Sequence, residues 1–392
     1  MDECNAVIIH FGELWLKGKN RNYFINSLFK NIELAINKNN DDKYKIEKLY
    51  DRFLIYLSSN QNKENIDYLI LKLKHIFGIS WFAPCFMAEN KFENILESAN
   101  ELLKKQDSAF KIIAHRSYKK LEFNSRQIIN YFISNQQKLK FRIDLNADKI
   151  LYINPTQYGC FIFSEKINGL KGLPVGVSGN AVVLFSGGID SPVASFYAMK
   201  RGLKVVYIHV HAFAKNEEAV ESQKIRKLIE QLNKYSNSLT MYYLPSYFFQ
   251  AATMKIPKKY EHVLFKRFLF KLAEKIAEIE KANVIVTGES LGQVSSQTTT
   301  NLIASEPDDD LLIMRPLVGF DKQEIINKAK QINTYNYSLL KYRDVCSIIV
   351  KNPSTNIKKD LINKLYKNTK LTYVINRTLK KAKCIKYLQN KQ

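Results

Sequence analysis

Cysteine is scarce in this chain and scattered. Five occur among 392 residues, at positions 4, 85, 160, 346 and 384, and no two form a Cys-x-x-Cys pair. An odd count at such spacings argues against a disulfide framework or a zinc knuckle and fits a reducing cytoplasm. Long apolar runs are missing as well. Nothing approaches the ~18 consecutive residues of a membrane span, and the start, Met1-Asp2-Glu3-Cys4-Asn5, has no signal-peptide character. A cytoplasmic protein with no membrane partner is expected. Acidic residues are the third shortage: 37 Asp and Glu stand against 60 Lys and Arg, a formal charge of +23. Lysine and asparagine are abundant throughout, so part of that excess is general composition. From Lys341 onward, however, fourteen Lys or Arg face only Asp344 and Asp360. Such a concentration is either an electrostatic footprint for a polyanion or a solvated basic tail. There is no internal repeat, and no low-complexity segment apart from this tail.

What is present is a globular composition, with 46% hydrophobic residues and a mean hydropathy of −0.26. The length suits two or three domains. A small α+β module is expected over 1–59, with a strand at Ala6 to Phe11 and a helix from about Tyr23 to Ile36. A second occupies 60–166, with helices near 66–76, 92–105 and 125–139 and strands near 110–114, 150–153 and 159–163. Gly-rich 167–180 reads as a linker. From 181 to 392 strands and helices alternate: strands at 181–185, 203–209, 239–244, 283–287 and 311–314, helices at 193–199, 217–235, 259–281 and 321–333. That alternation argues for a doubly wound parallel sheet.

The most informative string is Ser186-Gly187-Gly188-Ile189-Asp190-Ser191-Pro192. An apolar strand pattern precedes it and a helix follows, so backbone N–H groups and the helix dipole there favour a phosphate. The glycines let the backbone approach an anion closely. No Gly-Lys-Ser/Thr follows, which excludes a Walker loop, and no third glycine completes a dinucleotide fingerprint. The pattern resembles the PP-loop ATPases, which cleave ATP to AMP and pyrophosphate.

Further strings agree in colinear order: Gly12-Glu13-Leu14-Trp15-Leu16-Lys17-Gly18-Lys19-Asn20-Arg21, Phe77-Gly78-Ile79, Gly172-Leu173-Pro174-Val175-Gly176, Thr287-Gly288-Glu289-Ser290-Leu291-Gly292-Gln293-Val294-Ser295-Ser296-Gln297, Arg315-Pro316-Leu317 and Asp321-Lys322-Gln323-Glu324-Ile325-Ile326. Together they resemble the tRNA 4-thiouridine synthetases. The resemblance implies an N-terminal ferredoxin-like domain, a THUMP RNA-binding domain and a PP-loop ATP pyrophosphatase domain. It implies sulfuration of uridine 8 of tRNA with ATP, Mg²⁺ and a persulfide donor, and an associated role in thiamine (thiazole) biosynthesis. Uracil O4 is a poor leaving group, so adenylation must precede its displacement by sulfur. By the same resemblance ATP contacts Leu184, Phe185, Ser186, Gly187, Gly188, Asp190, Ser191, His209, Val210, Gly288 and Gln297, with Asp190 placed to position Mg²⁺. Lys266 and Arg267 complete the set. Many members carry two arginines there, so Lys266 leaves open which cation touches ATP and which touches tRNA or solvent.

Cys346 is the cysteine whose surroundings resemble the family's sulfur-handling position, and Arg343 and Lys351 nearby favour a thiolate. Cys85 and Cys160 sit in apolar strand patterns and are expected in the core. Only 46 residues follow Cys346, too few for the rhodanese domain that some members append. The chain is therefore expected to resemble the shorter form and to take sulfur from a cysteine desulfurase; a homodimer stays open. Two alternatives remain: a PP-loop enzyme with an amine nucleophile, which has no need of Cys346, and a non-catalytic tRNA-binding protein.

Overall fold

A computed structural model describes residues 4–37, 44–57, 63–104, 106, 108–307, 310–343, 345 and 354–388. The chain forms two units, Met1–Gly172 and Leu173–Gln392. Among the described residues no helix is long and apolar enough to cross a membrane.

The first unit is one nine-stranded sheet with its helices. Its elements are β1 (Ala6–Phe11), α1 (Arg21–Ile36), β2 (Ile46–Lys48), β3 (Arg52–Tyr56), α2 (Lys63–Leu73), β4 (Ile79–Ala88), α3 (Phe92–Leu103), β5 (Ala109–Ala114), α4 (Ser125–Ser134), β6 (Arg142–Ile143), β7 (Ile150–Thr156), β8 (Gly159–Phe163) and β9 (Ile167–Asn168). Helix α1 forms because Ile25, Leu28, Ile32, Ala35 and Ile36 recur at helical spacing and are buried. The strand order is β2-β3-β1-β4-β8-β7-β5-β6, with β9 paired to β4. Strand β4 joins the halves: Ala83 lies opposite Ile8 of β1, and Phe86 opposite Ile162 of β8. The sheet thus joins both sides of residues 59–60, where a module boundary was expected from the order of elements. The expected linker also begins as strand β9, opposite Trp81 and Phe82.

The second unit contains β10 (Asn180–Leu184), α5 (Asp190–Lys200), β11 (Lys204–His211), α6 (Asn216–Val220), α7 (Gln223–Leu232), β12 (Ser238–Pro245), α8 (Tyr247–Ala252), α9 (Lys258–Glu280), β13 (Val284–Val286), α10 (Thr299–Ser305), β14 (Leu312–Met314), α11 (Lys322–Gln331), α12 (Tyr335–Ser338), α13 (Lys359–Asn368), α14 (Leu371–Lys380) and β15 (Lys383–Leu388). Its sheet order is β14-β13-β10-β11-β12-β15. The first five strands are parallel, and β15 closes the edge antiparallel to β12. Helix α9 packs Val263, Leu264, Phe268, Leu272 and Ile276 onto Val182, Val206, Ile208 and Ile285, while α5 contacts β10, β11 and β13. The winding order reverses at β10, since the chain lays β11 and β12 to one side of it and β13 and β14 to the other while all five strands stay parallel. That is a switch point, where open α/β sheets bind ligands outside the strand C-termini.

Two local expectations need correcting. The helix expected over 217–235 is broken at Ser222 into α6 and α7. The basic segment after residue 341 is no solvated tail over its described part. Helices α13 and α14 bury Ile362, Leu371, Val374 and Ile375 against α9, and β15 extends the sheet.

Candidate active site

The glycine loop fills the crevice at the end of β10. Gly187 has φ +80°, and a Cβ there would lie 2.7 Å from Ile225 Cδ1 of α7, so only glycine fits. The Ser186 hydroxyl accepts from Gly188 N–H (3.2 Å) and lies 3.3 Å from Ser191 Oγ. Helix α5 starts at Asp190, three residues before the expected start, and so puts that carboxylate in its first turn. Lys322 Nζ donates to Asp190 Oδ1 (2.6 Å) and Gln293 Nε2 to Oδ2 (3.0 Å). Gly288, after β13, lies so close that a Cβ would be 2.9 Å from the Asp190 carbonyl carbon and Ser191 N. The loop that follows β13 therefore seats directly on the N-terminus of α5.

At the next strand end His209 is buried, 1% exposed. Its Nδ1 lies 2.7 Å from Phe185 O and its Nε2 2.6 Å from Tyr342 Oη. A carbonyl only accepts, so Nδ1 carries the proton and Nε2 accepts from the tyrosine. Burial lowers the His209 pKa to about 4, with the positive charge of Lys224 contributing, so the ring is neutral. Phe185 is itself buried and its N–H donates to Ile208 O, while Leu184 and Val210 are half-buried on their strands. Gln297 is 8% exposed, and its Oε1 meets no hydrogen-bond donor among the described residues.

Lys266 and Arg267 sit side by side on α9 but do different things. Lys266 Nζ donates to Glu289 Oε1 (2.6 Å) and to Ser296 O (3.1 Å). Arg315 Nε and Thr287 Oγ1 hold the other Glu289 oxygen, at 2.8 and 3.0 Å. Burial pushes the Glu289 pKa up, yet Lys266 and Arg315 outweigh it and keep the carboxyl below its ordinary value. This buried network ties the 288–297 loop to α9. Arg267 is 4% exposed and donates to Ala304 O (3.2 Å) and Asn363 Oδ1 (3.1 Å), which joins α9 to α10 and α13. The geometry thus gathers Leu184, Phe185, Ser186, Gly187, Gly188, Asp190, Ser191, His209, Val210 and Gly288 about one crevice. Gln297 and Lys266 stand on the adjoining loop network, and Arg267 turns into the helical packing.

Cys346 lies outside the described residues. Cys85 and Cys160 are buried as expected, and burial pushes both thiols up. Reading the residues one by one gave no role to Lys322, Gln293, Glu289, Arg315, Lys224 or Tyr342. The first four lie within the strings that carried the resemblance, so the signal was present without a partner to interpret it. Lys224 is brought in by α7, its Cε 3.8 Å from the Cβ position of Gly187, which no spacing in the sequence announces.

A match to the family described as thiamine biosynthesis protein (ThiI) covers residues 176–371, and one to the ThiI ferredoxin-like domain covers 6–83. A probable tRNA sulfurtransferase of Brevibacillus brevis is 34% identical, over 92% of this chain and 90% of its own. One from Ureaplasma urealyticum is 36% identical, over 89% and 90%. Among solved structures, a 4-thiouridine synthetase in complex with RNA and with bound ATP superposes with TM-score 0.86 at 32% identity, over 98% of this chain and 100% of its own. Protein PH1313 of Pyrococcus horikoshii shares the fold, with TM-score 0.61 at 22% identity over 84% and 99%.

Proposed function

The chain belongs to the ThiI family of tRNA sulfurtransferases, and from that premise we propose how its own residues divide the work of a 4-thiouridine synthetase. The glycine loop, with the N-terminus of α5, holds the ATP phosphates. The observation that carries this is Asp190: a carboxylate in the first turn of α5, fixed by Lys322 and Gln293 between two loops, after β10 and after β13, in which glycine is required at 187 and 288. Neutral His209 braces the carbonyl of Phe185 and so fixes the start of the loop. The open acceptor Oε1 of Gln297 suits the exocyclic amine of adenine or a ribose hydroxyl. The Lys266–Glu289–Arg315 network positions the loop that carries Gln297, while Arg267 serves the packing around it.

Mg²⁺ fits this donor set. One carboxylate, Asp190, stands by a phosphate cradle, and that is how Mg²⁺ is commonly held, with water and phosphate oxygens completing its shell. When bound it supplies charge neutralisation on the phosphates. The reaction assigned to the site is adenylation of O4 of uridine 8, with release of pyrophosphate, followed by displacement of AMP by a sulfur nucleophile. Cys346 is assigned the handling of the persulfide, on its sequence surroundings, with a cysteine desulfurase as donor. The segment 60–166 is assigned to a THUMP-type RNA-binding role. A cytoplasmic location, a homodimer and sulfur supply for thiamine synthesis belong to this reading as family associations.

The test is tRNA-dependent pyrophosphate release. Asp190→Ala is expected to abolish it and to leave tRNA affinity close to parental. Release at near parental rate would overturn the assignment of the loop.

A further inference from the structure

We propose that the outer stripe of α14 docks the phosphate backbone of the substrate RNA beside the glycine loop. The proposal rests on the tRNA reading above and adds a surface to it. Tyr373, Arg377 and Lys380 follow one another at steps of four and three, so they share one face of the helix, which Lys370 and Lys381 flank at its N- and C-caps, Lys381 four residues after Arg377. All five are exposed, Tyr373 to 62%. The opposite face is buried through Leu371, Val374, Ile375 and Thr378, which fixes the orientation of the stripe.

Its charge is uncompensated. Among the described residues none of the four cations meets a carboxylate, and Arg377, Lys380 and Lys381 repel one another at helical spacing. Arg377 is also held in place: its guanidinium carbon lies 4.4 Å from the Phe248 ring centroid and 5.8 Å from that of Tyr373. A positioned guanidinium, lysines and an exposed tyrosine are the groups that meet phosphates, riboses and unstacked bases.

The stripe also ends in the right place. Strand β15 runs antiparallel to β12, so Lys383 lies opposite Tyr243, near the C-terminal ends of the parallel strands. Asn216 fastens this corner: its Nδ2 donates to Lys381 O (2.7 Å), and its Oδ1 lies 2.8 Å from His211 Nε2. His211 ends β11 two residues after His209. The last turn of α14 is therefore tied to the sheet edge that carries the glycine loop. All of the stripe except Lys370 lies past residue 371, where the family match stops.

The experiment uses the full chain and folded tRNA. Its variant is the triple Arg377→Gln, Lys380→Gln, Lys381→Gln, and its control is Lys358→Gln, Lys364→Gln, Lys367→Gln on α13, which removes the same charge. Expected for the stripe triple are a tRNA Kd and KM raised about tenfold or more, a log Kd against log salt slope reduced by about two to three, and kcat at saturating tRNA near parental. Lys380→Gln with Lys381→Gln keeps the Arg377–Phe248 contact, and should show a smaller change of the same kind even where the triple is poorly folded. Unchanged tRNA affinity and salt slope would overturn the proposal. So would an equal loss in the α13 control, which marks a net-charge effect. A raised KM for the desulfurase with tRNA binding intact would assign the face to the donor protein instead. A parent enzyme that releases no pyrophosphate with tRNA would sink the underlying reading, a separate result from a parent that works and a variant that matches it.

Discussion

At the scale of single residues, the proposed chemistry divides into holding phosphate, bracing the loop and delivering sulfur. Delivery is the separable part. On that assignment adenylation needs the glycine loop and the positioned uracil, whereas transfer from the proposed desulfurase needs a thiolate that carries or resolves a persulfide. Cys346→Ser should therefore keep tRNA-dependent adenylation and make little or no 4-thiouridine with the desulfurase. Serine variants of Cys85 and Cys160, buried and with raised pKa, should lose far less. A Cys346→Ser enzyme that makes 4-thiouridine at near parental rate would defeat the assignment. His209 gives a second residue-scale expectation, in pH. Its pKa in the fold is about 4 against 6.5 for the free group, chiefly through burial. Between those values the unfolded chain takes up a proton that the native one does not, so stability falls as pH drops from 6.5 toward 4. The full effect is of order 3 kcal/mol. Urea melts of the parent and His209→Gln at pH 7.5 and 5 should show a shallower pH slope in the variant; equal slopes would mean that His209 titrates normally in the fold.

At the scale of elements, the glycine loop was legible because its chemistry is local: strand, two glycines, Asp190 and helix follow one another in sequence. The buried stripe of α9, expected at Leu264, Phe268, Leu272, Ile276 and Ile279 from helical spacing, was legible for its first four members, whereas Ile279 is 63% exposed near the end of the helix. The C-terminal helices were not read. Their apolar residues, Ile362, Leu371, Val374 and Ile375, also sit at helical spacing, but a lysine- and asparagine-rich background drew attention to charge and hid the period. The partners of Asp190 were illegible for another reason: Lys322 opens α11 and Gln293 lies in the loop after β13, both more than a hundred residues on, and only the sheet order brings them together. The distinction between tail and folded module has a measurable consequence. Leu371 is fully buried in the cluster beneath α9, so Leu371→Ala should destabilise the second unit by about 2–5 kcal/mol. Lys370→Ala, exposed beside it, should stay within about 0.5 kcal/mol. Equal and small effects in denaturant melts would return this segment to a solvated tail.

At the scale of the whole molecule, a ferredoxin-like part followed by a ThiI part is matched over 6–83 and 176–371, while the line expected between the first two modules falls where the sheet has no break. The element pattern suggested a boundary near residue 60, but the pairing of β4 with both β1 and β8 makes Met1–Gly172 one unit. That has a practical consequence for RNA binding. A cut at 59–60 would strip β4 of its β1 neighbour, whereas a cut after Gly172 leaves every strand of the sheet paired. The fragment Met1–Gly172 should therefore fold by itself. It also carries a surface suited to RNA: Trp15 with the Arg21 guanidinium 3.3 Å from its ring centroid, and Tyr50, 71% exposed, whose carbonyl accepts from Arg21. Cation and aromatic together suit phosphates and unstacked bases. The fragment is expected to bind folded tRNA with appreciable affinity that falls steeply with salt, because each lysine or arginine on a phosphate releases counterions. Its preference should be for shape. Titrations of the fragment with folded tRNA and with unstructured single-stranded RNA of equal length, at two salt concentrations, should give tighter binding to the folded molecule at both. Equal affinity for the two would reduce the first unit to a non-specific basic surface and leave tRNA selection to the second.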